Sequence, residues 1–430
     1  MARLFGTDGI RGLAFGDVLT EDLTRQVAAS AARVLGGTRV VIGRDTRPSG
    51  PALERAAVEG FTAAGADVVL LGVVPTPAVA QVVAAGAADL GLVLSASHNP
   101  AADNGLKLFG PGGHKLTDAQ EDAIEAGLGD LGPGNGTVSE GAELVEGYLA
   151  SLLSTVGSLA GLRVVVDGAQ GAASVVAPEV YRRAGAEVVA VHCDADGEGI
   201  NDGCGATHPE SLAAAVVEHG ADLGVAHDGD ADRCIFVDAA GQVRGGDQVL
   251  GLLALARQEA GLPASDVLVA TVMSNLGLAL AMEAAGIELV RTAVGDRYVL
   301  EAMLEHGYRL GGEQSGHVVL LDHATTGDGI LTALQVMARV VSTGQPLATL
   351  ADVVALLPQV LLNVRADRSR AADSDVLAAV AAEEAALAGS GRVLLRPSGT
   401  EALVRVMVEA PTHETASEVA KRLAGVVAGD

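Results

Sequence analysis

Four short segments of this chain combine residue types that could do chemistry, and the first is residues 95–107. It holds Ser97, His98 and Lys107. A serine on a loop can present its hydroxyl to a ligand, so Ser97 is a candidate nucleophile or phosphoryl carrier, with an ordinary strand-ending turn as the alternative. Lys107 could bring positive charge to a phosphate, transfer a proton, or lie on the surface. For His98 a hydrogen-bonded loop anchor is favoured over an acid/base catalyst.

The second segment, residues 228–233, is acidic. Asp228, Asp230 and Asp232 alternate with a glycine and an alanine, and Arg233 follows. In an extended segment alternate side chains point the same way, and three like charges repel unless a cation neutralises them. Carboxylate oxygens in this number suit Mg²⁺, and Arg233 would then face the anion that the metal holds. A solvated acidic turn is the alternative, which the small interleaved residues disfavour.

The third segment, residues 311–317, is glycine-rich and carries Glu313 and Ser315. A carboxylate accepts hydrogen bonds from two adjacent hydroxyls, which matches the pattern of a sugar ring. A simple hairpin turn explains the composition equally well.

The fourth segment, residues 396–401, is typical of a phosphate-binding loop. Arg396 and Arg405 supply guanidinium groups for bidentate contacts, and small residues between them free backbone N–H groups for an anion: Ser398, Gly399 and Thr400. A tight turn between strands is the alternative. Residues 5–12, which include Arg11, repeat this combination of glycine, hydroxyl and arginine and could make a second phosphate contact.

Composition excludes several classes of function. The 430 residues carry a net charge of −26, contain no Trp and are only 2% aromatic, which argues against binding nucleic acid. The longest apolar stretch, residues 267–282, is interrupted by polar residues and predicts a strand, a turn and a helix rather than a membrane span. The first residues show no apolar signal region, and three cysteines without metal-type spacing indicate reduced, buried thiols, so a cytoplasmic protein is expected.

The elements that position these segments are predicted by the rest of the sequence. Val/Leu-rich runs alternate with Ala-rich helical patterns, which is typical of parallel sheets covered by helices. Predicted strands include residues 39–43, 67–71, 90–94, 162–167, 187–191, 222–226, 267–271 and 287–291. After residue 358 the pattern changes to an α+β module, with strands at 360–364 and near 394 and 406 and a helix over 374–387. We therefore predict three similar α/β units and an α+β tail, with domains at 1–145, 155–245, 246–357 and 358–430.

In such folds ligands bind outside the carboxyl ends of the strands, so the chemistry is expected in the loops there. Taken together and in this order, the motifs resemble the α-D-phosphohexomutase superfamily over nearly the whole chain. Residues 5–12, 294–299 and 312–317 favour a member that acts on an amino-sugar phosphate. The resemblance implies three mixed α/β domains and a C-terminal α+β domain around a central active-site cleft.

The resemblance also implies roles for individual residues. Ser97 would be a phosphoserine that exchanges its phosphoryl group with the sugar and helps to bind Mg²⁺ together with Asp228, Asp230 and Asp232. Glu313 and Ser315 would recognise sugar hydroxyls, and the non-reacting phosphate would be held by Arg396, Ser398, Gly399, Thr400 and Arg405. The implied reaction interconverts glucosamine 6-phosphate and glucosamine 1-phosphate through a sugar bisphosphate, a step toward UDP-N-acetylglucosamine.

Two positions depart from the family pattern. Ala402 stands where proline is usual, and Ala293 stands where a lysine is common, which leaves the acid/base open among Lys107, His98 and Arg297. Two other functions remain as alternatives: the same chemistry on mannose or glucose phosphates, and a non-catalytic phosphosugar-binding protein. The expected partner is a small phosphosugar, not nucleic acid or membrane, and the sequence is compatible with a homodimer.

Overall fold

Six strands form the first sheet of this computed structural model, which describes residues 3–6, 8–397 and 402–429. Their order is β1-β5-β4-β2-β3-β6, where the strands are β1 Ile10–Leu13, β2 Arg39–Arg44, β3 Asp67–Val73, β4 Leu90–Leu94, β5 Asp103–Phe109 and β6 Val138–Glu140. Strands β4, β2, β3 and β6 run parallel, and β5 is antiparallel to both β4 and β1. The helices here are α1 Glu21–Leu35, α2 Gly50–Ala63, α3 Thr76–Ala84, α4 Asp118–Ala126 and α5 Ala142–Ser154.

Local sequence explains these elements. Strand β4 is wholly buried, as expected for a continuous apolar run inside a parallel sheet. Helix α1 begins after Thr20, whose side chain accepts a hydrogen bond from the Leu23 N–H, and ends at Gly36 in the left-handed conformation (φ 71°). One prediction was wrong: residues 103–107 are not loop but part of β5, because they pair with β1 and β4, so Lys107 projects from a strand.

The second sheet carries the acidic segment. Its order is β11-β10-β9-β7-β8, with β7 Arg163–Asp167, β8 Glu187–Val191, β9 Leu223–His227, β10 Cys234–Asp238 and β11 Val243–Arg244. Strands β8, β7 and β9 are parallel, and the helices are α6 Ala173–Arg183 and α7 Glu210–His219. Because β10 returns antiparallel to β9, residues 228–233 form the connection at the carboxyl end of β9.

The third sheet has the order β13-β12-β14-β15, with β12 Val267–Thr271, β13 Glu288–Thr292, β14 Leu310–Gly312 and β15 Val318–Leu320. Strands β14 and β15 form an antiparallel hairpin whose turn is residues 313–317. The helices along this part of the chain are α8 Gly246–Glu259, α9 Leu276–Ala285, α10 Asp296–His306, α11 Gly329–Thr343 and α12 Leu347–Ala351.

The chain forms two units: residues 1–273 with 287–353 contain the first three sheets, and residues 274–286 with 354–430 contain the fourth. The fourth sheet is antiparallel in the order β16-β18-β17, with β16 Gln359–Arg365, β17 Arg392–Pro397 and β18 Leu403–Glu409. Its helices are α13 Ser374–Leu387 and α14 His413–Ala428. The predicted multi-domain α/β fold with an α+β tail is confirmed, whereas the domain boundaries stay a prediction.

None of the helices in the described residues combines the length and the apolar composition needed to cross a bilayer.

One buried histidine makes the stability of the second sheet depend on pH. Tyr181 Oη donates to Nε2 of His227 (2.9 Å), while Nδ1 of His227 donates to the Arg233 carbonyl (3.2 Å). Burial lowers the pKa of His227 to about 4. Since an unfolded histidine has a pKa of about 6.5, the unfolded chain takes up a proton first, and stability is lost as the pH falls from about 6.5 toward 4.

We expect the free energy of unfolding of the wild type to fall by about 2 kcal/mol more than that of His227→Gln between pH 8 and pH 5. Urea unfolding at the two pH values measures this. His306→Gln is the control, since the His306 side chain is 52% exposed. Equal losses in wild type and His227→Gln would contradict the assignment.

Candidate functional site

Ser97 lies just beyond β4, completely buried, in a left-handed backbone conformation (φ 52°). Its Oγ donates to Asp228 Oδ2 at 2.5 Å, and its N–H donates to Ser95 Oγ at 2.9 Å. Strain of this kind in a non-glycine residue persists only when the surroundings fix it. The strained backbone therefore holds the hydroxyl at the carboxylates of the second sheet.

Arg47 makes most of the hydrogen bonds that hold the serine loop in place. It is fully buried, its Nε donates to Asp45 Oδ2 (2.8 Å), and its two terminal nitrogens donate to carbonyl oxygens of the serine loop: Ser97 and Asn99 (2.8 Å each), Asp103 (2.9 Å) and Pro100. Asn201 Nδ2 also donates to the Ser97 and Asn99 carbonyls, at 3.0 Å each. Buried carbonyl groups that would otherwise lack partners are thus satisfied by a planar five-donor group and one amide.

The three aspartates converge, but not for the predicted reason. Residues 228–232 form a turn, with Ala231 left-handed (φ 59°), rather than an extended segment. The turn nevertheless brings one oxygen of each of Asp228, Asp230 and Asp232 within 4.8 Å of the others, all three residues being buried. Such a set can hold a metal ion.

Lys107 and Thr76 contact only the Oδ2 atoms of Asp230 and Asp232 in this cluster. Lys107 Nζ lies 2.7 Å from Asp230 Oδ2 and 3.3 Å from Asp232 Oδ2, and Thr76 Oγ1 donates to Asp230 Oδ2 at 2.7 Å. In contrast, Oδ1 of Asp230 is buried without a hydrogen bond among the described residues, and Oδ1 of Asp232 has only longer contacts, with His317 Nδ1 (3.6 Å) and Arg233 Nε (3.7 Å). Unpartnered buried carboxylate oxygens are costly, and a hard divalent cation is the ligand that they fit.

The electrostatics agree with a cation site. Burial, together with the charges of Asp232 and Asp230, raises the pKa of Asp228 to about 8. A bound cation would reverse this, since it favours the ionised form of every carboxylate around it.

Lys107 stays protonated, as an ammonium group. Although burial lowers its pKa, the carboxylates of Asp230, Asp8 and Asp232 outweigh burial and hold the pKa above the ordinary value of 10.5. Asp8 Oδ2 lies 2.9 Å from Lys107 Nζ, and Asp8 Oδ1 accepts from Lys115 at 2.8 Å. A lysine in this environment neutralises negative charge and does not accept protons.

His98 has the opposite character. Burial, followed by the nearby Arg233 and Arg11, lowers the pKa of His98 below its ordinary 6.5. Its Nδ1 lies 3.4 Å from Ser97 Oγ. A neutral imidazole at this distance can accept or return a proton with a small movement.

An open cleft of about 410 Å³ adjoins these groups, and its lining includes Arg11, His98, Arg233, Gly295 and Glu313. Glu313 Oε1 accepts from the Gly295 N–H (3.2 Å), and Oε2 accepts from Ser315 Oγ (3.2 Å). The turn between β14 and β15 therefore closes a hairpin and also places the Glu313 carboxylate at a cleft that two arginines line.

The remaining candidate residues that the structure describes belong to α10 and to the fourth sheet. Arg297 binds Asp118 (2.5 Å) and Glu121 of α4, so two carboxylates already hold its guanidinium. Arg396 and Arg405 are opposite each other on β17 and β18, and among described residues neither forms an ion pair, so they can accept an anion together. Ser398, Gly399 and Thr400 lie outside the described residues.

Sequence reasoning missed Arg47, Thr76 and Asn201. Arg47 follows strand β2, next to β4, and its place at the carboxyl end of a parallel strand was a usable signal. Thr76, at the start of α3, and Asn201, in a loop, carried none. His317, buried between Asp232 (3.6 Å) and Asp296 (3.4 Å), was noted only as part of its loop.

Comparisons with known proteins cover the whole chain. It matches the phosphoglucomutase/phosphomannomutase alpha/beta/alpha domain I over residues 2–131, domain II over 146–241, domain III over 245–357 and the C-terminal domain over 361–426. It is 58% identical to the phosphoglucosamine mutase of Parafrankia sp. (99% of both chains) and 58% identical to that of Saccharopolyspora erythraea (100% and 99%). The crystal structure of a phosphoglucomutase/phosphomannomutase family protein from Burkholderia thailandensis is similar with a TM-score of 0.82, at 26% identity, covering 99% and 97%.

The dependence of the serine loop on Arg47 is testable by Arg47→Lys. One ammonium cannot reach four carbonyls and Asp45 at once, so either the buried Asp45 carboxylate loses its charged partner or buried carbonyls of the serine loop lose their donors. We expect the free energy of unfolding to fall by about 3 kcal/mol or more, measured by urea unfolding. Arg163→Lys is the matched control, because its pair with Glu187 is exposed and should change stability by no more than about 1 kcal/mol. Similar small losses in both variants would rule out this role of Arg47.

Proposed function

The chain belongs to the phosphoglucomutase/phosphomannomutase family, and on this premise we propose that it is a phosphoglucosamine mutase that works through a phosphorylated Ser97. The enzyme interconverts glucosamine 6-phosphate and glucosamine 1-phosphate. Relatives of that name, 55–58% identical over nearly the whole chain, support the activity. The observation that carries the role of Ser97 is its buried hydroxyl at 2.5 Å from the aspartate cluster.

Phosphoryl transfer needs charge neutralisation more than covalent assistance. In the proposed cycle a sugar hydroxyl attacks the phosphorus of phosphoserine, the new P–O bond forms, and the bond to Ser97 Oγ breaks. The bisphosphate then presents its other phosphate to Ser97 and the reverse transfer regenerates the phosphoenzyme. Lys107, with its permanent charge, and the cleft residues Arg11 and Arg233 lie near enough to Ser97 and its aspartates to stabilise the phosphoryl oxygens.

Proton transfer is assigned to His98. The attacking hydroxyl must lose a proton and the departing Ser97 oxygen must gain one. His98 is neutral at physiological pH, lines the cleft and lies 3.4 Å from Ser97 Oγ, which supports this role. Lys107 is a less suitable base because its ammonium is held by three carboxylates.

We propose Mg²⁺ as the resident metal, held by Asp228, Asp230, Asp232 and an oxygen of the Ser97 group. The all-oxygen donor set supports a hard cation, as does Oδ1 of Asp230, which has no hydrogen bond among the described residues. When bound it would neutralise charge on the transferring phosphoryl group.

Substrate recognition is assigned to two regions. Glu313 and Ser315 would accept from and donate to sugar hydroxyls in either orientation of the substrate. Arg396 and Arg405, with Ser398, Gly399 and Thr400, would hold the phosphate that does not react. The two arginines lie opposite each other on β17 and β18 and have no ion-pair partner among the described residues, which supports this role. A phosphosugar is thus the proposed partner and cytoplasm the proposed location.

Ser97→Ala tests the phosphoryl carrier. We expect kcat with glucosamine 6-phosphate, Mg²⁺ and a sugar bisphosphate to fall at least about a thousandfold, because no phosphoenzyme can form. Intact-mass analysis should show one phosphate on the wild type after exposure to the bisphosphate and none on the variant. Ser139→Ala, an exposed serine on β6, is the control.

Activity of Ser97→Ala within tenfold of the wild type would overturn the role of Ser97. The wild-type kcat/KM for glucosamine 6-phosphate, mannose 6-phosphate and glucose 6-phosphate tests the substrate separately. A preference for either neutral sugar would replace the substrate assignment without affecting the phosphoserine.

Asp230→Asn tests the metal site. The substitution keeps a group that can contact Thr76 and Lys107 but removes the charge from the unpartnered Oδ1, so Mg²⁺ should bind at least about tenfold more weakly. Isothermal titration with Mg²⁺ alone gives the dissociation constants. Asp17→Asn, at an exposed loop position, should bind like the wild type, and an unchanged affinity of Asp230→Asn would contradict the site.

A further inference from the structure

A second group of potential metal ligands lies in the second sheet, outside the site described above. Asp167 ends β7, His192 follows β8, and Cys204 lies on the segment that leads to α7. One ligand atom of each lies within 4.8 Å of the others. The cysteine spacing in the sequence predicted no metal site, because the three ligands come from three separate parts of the chain.

Asp167 is a buried carboxylate that no lysine or arginine pairs with among the described residues. Its ion-pair partner in the part of the chain that the structure describes is only His192, whose Nδ1 lies 3.1 Å from Oδ2. The N–H groups of Ala169 (2.8 Å) and Gly205 (2.9 Å) donate to its two oxygens. Each carboxylate oxygen has two lone pairs, so these bonds leave room for a cation.

The ligand types specify which cation. A thiolate, an imidazole and a carboxylate together suit zinc and similar borderline metals, and they do not suit Mg²⁺. Cys204 is buried, whereas the His192 side chain is 33% exposed, so solvent reaches the cluster on the histidine side. Cys193, next in sequence to His192, lies outside the cluster and its Sγ faces the Val191 carbonyl at 3.2 Å.

We propose that Asp167, His192 and Cys204 form a zinc-type metal site with three protein ligands and one open position. Binding would release the Cys204 thiol proton to solvent and replace the contact between His192 and Asp167 by metal bonds to both. This site does not depend on the proposed mutase function.

The site would fix the segment that supports Ser97. Asn201 lies between His192 and Cys204 in sequence, its N–H donates to the Ala169 carbonyl (3.0 Å), and its side chain holds the carbonyls of Ser97 and Asn99. A metal bound to His192 and Cys204, which flank Asn201 in sequence, would order this segment. The metal would therefore have a positioning role and not a catalytic one.

The test is a titration of the full-length, chelator-treated protein with Co²⁺, in excess Mg²⁺ so that the aspartate trio is filled. We expect one equivalent of Co²⁺ to produce a thiolate-to-cobalt charge-transfer absorption, which oxygen ligands cannot give, and Zn²⁺ to abolish it. Zn²⁺ should also raise the melting temperature.

Three variants complete the experiment. Cys204→Ser should lose the absorption and Cys193→Ser should keep it. His192→Asn, at a partly exposed position that tolerates change, should weaken Co²⁺ binding at least about tenfold, so the proposal stays testable if Cys204→Ser does not fold. The proposal is overturned if the wild type gives no thiolate absorption, if Cys193→Ser alone abolishes it, or if His192→Asn binds Co²⁺ like the wild type.

Discussion

The site depends on holding three carboxylates together where water does not reach them. With oxygens of Asp228, Asp230 and Asp232 within 4.8 Å of each other, each pair of charges repels by about 3 to 4 kcal/mol at an effective dielectric constant of about 20. Lys107 and Thr76 offset part of this repulsion, and the raised pKa of Asp228 shows that part remains. A fold can maintain such a cluster only if its backbone is rigid, which explains why the segment is anchored at the end of β9 and returns at once as β10.

The same need for rigidity extends to the serine loop. Ser97 must meet Asp228 while its own backbone is strained, so the loop carbonyls are fixed by a fully buried arginine and by an asparagine from the second sheet. Gly229 is part of this arrangement, because a Cβ there would lie only 2.5 Å from the Ser97 carbonyl oxygen. The first and second sheets are thus joined by backbone contacts so close that neither loop can move without the other.

Strands and helices that depend on local sequence pattern could be predicted from the sequence. Strand β8 and helix α13 agree to the residue, since a continuous apolar run and a helical pattern each mark them. The aspartate trio was found from spacing, although the turn with left-handed Ala231 replaces the extended segment expected. Lys107 was predicted to lie in the loop that carries Ser97, whereas pairing with β1 and β4 places it in a strand. Thr76 and Asn201 could not be predicted, because their importance arises only from contacts distant in sequence.

Electrostatics explains why neighbouring candidates for acid/base chemistry have different roles. Lys107 and His98 lie nine positions apart and both reach the same buried region, but the charges around them shift their pKa values in opposite directions. Three carboxylates around Lys107 raise its pKa, so it keeps its proton. Burial, followed by two arginines, lowers the pKa of His98, so its imidazole is neutral. In the proposed cycle, a group that keeps its charge would stabilise the phosphoryl group throughout the transfer, and a neutral imidazole would be free to exchange a proton at the serine oxygen. Lys107 is therefore assigned the first role and His98 the second.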